Sequence, residues 1–134
     1  MAEKFIRQYQ IFFEKANDDL VAANYLLDGF NNHNLELKLD IIFFHFQQCS
    51  EKLIKSLLDF NKIKFPHNHN IKELINIAND NGIAIDNRDE LSILTQFAVE
   101  GRYSVIHDDL DSADKYVAIL KKLVTFVKEK LNYE

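Results

Sequence analysis

The apolar positions of this chain recur at intervals of three and four residues. In the first segment, roughly residues 5–28, Phe12, Ala16, Leu20, Ala23 and Leu27 step by four, four, three and four. That spacing places them on one stripe of an α-helix. A second segment, from about Leu35 to Phe60, repeats the pattern with Ile42, Phe46, Cys49, Leu53, Leu57 and Phe60. Gly29, Pro66, Gly82 and Gly101 punctuate the chain, and the polar stretch from Asn31 to Asn34 reads as the loop after the first helix. Asn70 with Glu73 three residues later forms an N-cap pair that opens a third helix. Ile71, Leu74, Ile75 and Ala78 are its apolar face, and Gly82 is the C′ residue that ends it. Past Ile83 to Asn87, a fourth helix starts near Arg88 with Leu91, Leu94, Ala98 and Val105, interrupted by Gly101. Asp111 or Ser112 caps a fifth, running to about Leu131 with Tyr116, Ile119, Leu120, Leu123 and Val127 facing inward.

No stretch alternates apolar and polar residues as a strand would. The chain has no internal repeat or low-complexity tract. The pattern therefore predicts an all-α, up-and-down bundle of four to five helices, a single domain over residues 1–134, whose first, second and fifth helices form the body.

Composition agrees. Three Gly and one Pro in 134 residues are too few for the turns of an all-β or doubly wound fold. A hydrophobic fraction of 47% with eleven Phe supplies the core, and a chain this long buries roughly two-thirds of its unfolded surface. Helix positions such as Phe12, Phe13, Phe43 and Phe44 bring more large apolar residues than one core stripe requires. Some of these are expected on the surface of a monomer, which points to dimerisation. The lone Cys49 excludes an intramolecular disulfide and fits a reducing compartment. The N-terminal stretch is charged throughout, and no apolar run approaches a membrane span. A cytoplasmic protein with no membrane partner is expected.

The net charge of −5 disfavours a broad basic face for DNA or RNA, so any nucleic-acid role must come from a local site. A Gly-rich phosphate loop, a Cys-x-x-Cys pair and a His-Glu-x-x-His helix are all missing. Cys49 stands on an apolar helix face as a small hydrophobe. His67 and His69 flank Asn68 without carboxylate or Cys companions in sequence, so no metal and no cofactor is expected there. His45, between Phe44 and Phe46, reads as a satisfied core or interface histidine, and His33 in its Asn-rich loop suggests nothing. Arg102 and His107 remain, in the stretch from Glu100 to Asp109. Five residues of straight helix turn by roughly 140°, so the two side chains meet only if the helix breaks or if two copies face each other. Spacing alone leaves a second reading open: Arg102 pairs with Glu100 or Asp109, and His107 ends a helix.

Two segments together resemble a known family. Residues 44–58, Phe-His-Phe-Gln-Gln-Cys-Ser-Glu-Lys-Leu-Ile-Lys-Ser-Leu-Leu, are similar to the signature helix of the HEPN family, with its Gln-Gln, Glu-Lys, Lys and Leu-Leu pattern. Phe65-Pro66, His69 and Leu74 resemble the next element, and Arg102 with His107 falls within the family's Arg-x4-6-His motif. The resemblance runs in order from Phe12 to the last helix. It implies a helical bundle, usually homodimeric, in one of two roles. Many members look like metal-independent endoribonucleases of toxin–antitoxin and other defence systems. Others are paired with a minimal nucleotidyltransferase, as its nucleotide- or substrate-binding partner or as the toxin that it neutralises. For the first role Arg102 and His107 are the catalytic residues. A histidine that titrates near neutral pH takes the proton of the RNA 2′-OH, and a forked, permanently charged arginine holds the phosphate. The sequence departs from the ribonuclease pattern at Tyr103, where Asn or Asp commonly follows the arginine. It departs from the Arg-Tyr-Pro branch at Ser104, and position 109 is Asp where some partner-modified toxins carry Tyr. Asp108, Asp109 and Asp111 place negative charge beside the site.

Overall fold

A computed structural model describes residues 7–32, 39–98 and 110–132 of the chain. Five α-helices occupy most of it: α1 (Gln8–Asn32), α2 (Leu39–Phe60), α3 (Ile71–Asp80), α4 (Arg88–Ile93) and α5 (Leu110–Lys130). A 3₁₀ turn, Leu94–Phe97, continues α4. The described residues contain no strand, and none of their helices is long and apolar enough to cross a membrane.

α1 and α2 lie antiparallel. Tyr9 meets Phe60 edge to face at 5.0 Å, the Ser56 hydroxyl donates to the Tyr9 carbonyl at 2.8 Å, and Asp19 reaches Lys52 at 2.6 Å. Ala16 and Ala23 on the facing stripe of α1 are fully buried, small enough to let the two backbones approach. α2 is the centre of the bundle, because none of its residues is exposed. Its predicted stripe of Ile42, Phe46, Cys49, Leu53 and Leu57 is fully buried, while Phe60 at the end is half-buried. The predicted inner face of α5, from Tyr116 to Val127, is buried throughout.

The ends of α3 follow the sequence reading. The Asn70 side chain accepts from the Glu73 N–H, and Gly82 takes φ +82° while the Ile83 N–H closes on the Ala78 carbonyl. α2 ends in the same motif: Lys62 N–H bonds the Asp59 carbonyl and Ile63 N–H the Leu58 carbonyl. Lys62 occupies the left-handed position there, at φ +58°.

Three expectations are corrected. α1 runs through Gly29, which is buried, to Asn32, so Asn31 and Asn32 are helical and do not begin the loop. A glycine in a helix costs only about 1 kcal/mol relative to alanine, and the buried stripe that ends at Leu27 outweighs that. α5 is already helical at Leu110, so Asp111 and Ser112 lie inside it and do not cap it. The exposed apolar residues are also not the phenylalanines that suggested them. Phe13 and Phe43 are buried and Phe12 and Phe44 half-buried, whereas the exposed large apolar side chains among the described residues are Ile11, Val21, Tyr25 and Ile93. The rings pack on each other instead, with Phe43 in contact with Phe46, Phe97 and Tyr116 at 5.2, 5.2 and 5.4 Å. Gly101 and Val105 lie outside the described residues.

Candidate functional site

α2 carries charge into the interior. Gln47, Glu51 and Lys55 follow one another at intervals of four along one side of the helix, and all three are buried. The Gln47 amide donates to Glu51 Oε1 at 2.7 Å and the Lys55 ammonium to Oε2 at 2.8 Å. His69, from the α2–α3 connection, brings Nδ1 to within 2.9 Å of Oε1. Gln48 in turn donates to Gln47 Oε1 at 2.6 Å. A carboxylate moved from water into a protein interior loses several kcal/mol of solvation, which only good pairing offsets. Burial alone would raise the Glu51 pKa. The hydrogen bonds from Lys55, Gln47 and His69, with the charge of Lys55, outweigh it and hold the group below its ordinary value. Glu51 is therefore ionised at neutral pH. An ionised carboxylate only accepts, so Nδ1 of His69 carries the proton and Nε2 points away from the pair. The imidazole is 59% exposed.

A second polar group joins α1 to α2. Asp19 receives Lys52 at 2.6 Å and His45 Nδ1 at 3.0 Å. His45 is a satisfied interface histidine, as the sequence suggested. Cys49 is fully buried, and burial first, then the charge of Asp19, pushes its thiol up despite Lys52. A protonated thiol of that kind is chemically inert.

Arg102 and His107 lie outside the described residues, as does Tyr103. The structure does place the chain on either side of them. On one side, Phe97 stacks on Phe43 of α2, and the Ile71 N–H donates to Thr95 Oγ1 at 3.1 Å. That bond fixes the 3₁₀ turn against the start of α3, two residues from His69. On the other side, Tyr116 of α5 packs on both Phe43 and Phe46, and its hydroxyl donates to the Glu90 carbonyl at 2.8 Å. The described chain on either side of residues 99–109 thus packs, at Phe97 and at Tyr116, against the N-terminal half of α2. His67 and His69 do not converge on further ligands: among the described residues no three His, Cys, Asp or Glu side chains are grouped to hold a metal ion.

The partnership of Glu51 with His69 is the buried polar feature that spacing did not reveal. Its signal was the series Gln47, Glu51, Lys55 in line on a helix none of whose residues is exposed. A buried helix that keeps three polar residues in line has partners for them elsewhere in the chain.

These observations define a class, an all-helical domain built around one central helix with a buried glutamine–glutamate–lysine line. The chain belongs to the HEPN family, whose domain model matches residues 9–130. Its fold is similar to that of ST0689, an archaeal HEPN homologue of known crystal structure. The TM-score is 0.65 with 22% sequence identity, over 95% of this chain and 99% of that one. At that identity the likeness shows the fold alone. No curated protein matches the chain.

Proposed function

We propose that this HEPN protein is a homodimeric, metal-independent endoribonuclease of the toxin or defence type. The observation that carries the reading is the order of its parts: in a HEPN chain, Arg102 and His107 follow the Gln-Gln, Glu-Lys helix in the family's motif. In the proposed reaction His107 takes the proton from a ribose 2′-OH, and the 2′-oxygen forms a bond to phosphorus. The bond from phosphorus to the 5′-oxygen breaks, and that oxygen receives a proton, leaving a 2′,3′-cyclic phosphate and a 5′-OH end. Arg102 stabilises the charge on the phosphate oxygens in between.

Dimerisation belongs to the proposal, because two Arg102–His107 pairs facing one cleft need no alignment within one helix. Ile11, Val21 and Tyr25 support it: they are 39, 67 and 79% exposed and fall within an arc of about 80° on the outward side of α1. The test is RNA cleavage in excess EDTA by the wild type, His107→Ala and Arg102→Ala. Activity that survives EDTA and disappears in both folded variants is the expected result, and a wild-type dimer that cuts no RNA refutes the reading.

A second reading is favoured by the Arg102-Tyr103 pair and the acidic residues Asp108, Asp109 and Asp111. In it the protein is a non-catalytic partner of a minimal nucleotidyltransferase, with Arg102 and Tyr103 binding a nucleotide's phosphate and base. Co-purification with such an enzyme and a nucleotide-dependent rise in melting temperature are its expected results. Failure of any nucleotide to shift the melting temperature counts against it.

A further inference from the structure

The charge of this protein is not evenly spread. The chain carries 21 acidic residues in 134, yet none lies between Phe60 and Lys72. That stretch, the α2–α3 connection with its flanking residues, holds Lys62, Lys64, Lys72, His67 and His69. Lys62, Lys64, Lys72 and His67 are exposed, and none of the three lysines has an ion-pair partner among the described residues. Lys62, Lys64 and His67, with Phe65 and Gln8, line an open depression of about 400 Å³ in which Asp59 is the one carboxylate. His69, two residues further along the chain, lies outside that lining, its Nδ1 committed to Glu51 and its side chain 59% exposed.

The backbone supplies an independent observation. Lys62 occupies the left-handed C′ position of the motif that ends α2, at φ +58°. Glycine is the residue this position favours, and a side chain with a Cβ costs roughly 1 kcal/mol there. Among the described residues the other non-glycine residues with positive φ are Asn87 and Asn132, of the type that tolerates it best. At Lys62 the chain keeps a long cation where the helix end favours Gly or Asn, and local strain of this kind points to a use outside the fold.

We propose that the α2–α3 connection is a binding surface for the phosphodiester backbone of single-stranded RNA, with Lys62 and Lys64 as its principal contacts. This deepens the ribonuclease reading, on which the choice of RNA rests, by naming where the substrate strand lies. Unpaired cations beside an aromatic side chain and an open groove are what single-strand binding uses, cations on the phosphates and rings against the bases. A local surface of this kind also reconciles RNA binding with a net charge of −5.

The test is fluorescence anisotropy of a labelled 2′-O-methyl oligonucleotide, which cannot be cut, so that binding is read apart from catalysis. Wild type is compared with Lys62→Gln/Lys64→Gln and with a charge-matched control, Lys121→Gln/Lys128→Gln on α5. Each folded state is checked by circular dichroism. The expected result is a loss of about tenfold or more in affinity at low salt for the first double variant. The slope of log affinity against log salt should fall by about 1.4, the share of two single-strand phosphate contacts, with a clearly smaller effect in the control. Equal weakening of both double variants would show a general charge effect and overturn the assignment. So would a wild type that does not bind the oligonucleotide at low salt. Displacement of the strand by equimolar free nucleoside triphosphate, with the same dependence on Lys62 and Lys64, would identify a nucleotide site instead. If the surface binds RNA as stated but no EDTA-resistant cleavage is found, the catalytic reading fails and the binding surface stands.

Discussion

Replacing Glu51 by glutamine tests the buried network at its centre. The change is nearly isosteric but removes the negative charge that Lys55, at 9% exposure, depends on. Removing one partner of a buried pair generally costs about 3–5 kcal/mol, because the remaining charge is left in a poor solvent. Half-exposed His69 loses less, so a destabilisation of about 3 kcal/mol is expected near pH 7. For a domain of this size that lowers the melting temperature by roughly 10 °C. The pH dependence has a definite sign. Glu51 is held below its ordinary value of 4.5 in the folded state. Its contribution is therefore present above that value and is lost as the pH falls through the folded pKa. Urea denaturation of wild type and Glu51→Gln should give curves that converge as the pH is lowered from neutrality toward the acid limb. Pairing Glu51→Leu with Lys55→Met should recover most of the loss, since two apolar side chains replace the pair without leaving a charge behind. A Glu51→Gln variant that loses less than about 1 kcal/mol, or whose deficit does not change with pH, would refute the argument.

Leu53 is fully buried on the inner face of α2, so Leu53→Ala should cost about 2–5 kcal/mol in denaturant unfolding. Cys49 should resist thiol reagents in the native state near pH 8 and react at once in denaturant, because burial keeps its thiol protonated and covered; rapid native labelling would contradict this. At Lys62 and Gly82, the left-handed positions that end α2 and α3, glycine and its replacement should act in opposite senses. Lys62→Gly should leave the melting temperature unchanged or slightly raised, whereas Gly82→Ala should cost about 1 kcal/mol through its backbone alone, since an added Cβ at Gly82 meets nothing within 4 Å.

What the sequence made legible was local. Asn70 with Glu73 and Gly82 bounded α3 because capping is written within four residues of the helix end. The stripes of α1, α2 and α5 were legible because a period of 3.6 survives any tertiary context. Gly29 misled because its weak intrinsic penalty competes with the packing of a whole helix, and propensity does not record packing. The surplus of phenylalanine suggested a sticky surface, but aromatic rings also satisfy one another, as Phe43 does with three neighbours. Glu51 and His69 are separated by eighteen residues, and no periodicity links them; only the family's order of motifs set both in view. Arg102 and His107 were read from that order as well, and cleavage assays will decide their role.

Phe43 packs on Phe97, before the segment that carries Arg102 and His107 in the sequence, and on Tyr116, after it. One buried ring therefore ties the 3₁₀ turn that precedes that segment to the helix that follows it. A substitution there that keeps the bundle folded, such as Phe43→Leu, would loosen the packing of Phe97 and of Tyr116 together. If that segment carries the proposed activity, variation in the activity has two sources, the polar residues of the segment and the aromatic packing on either side of it. The second would look neutral in any survey of the surface.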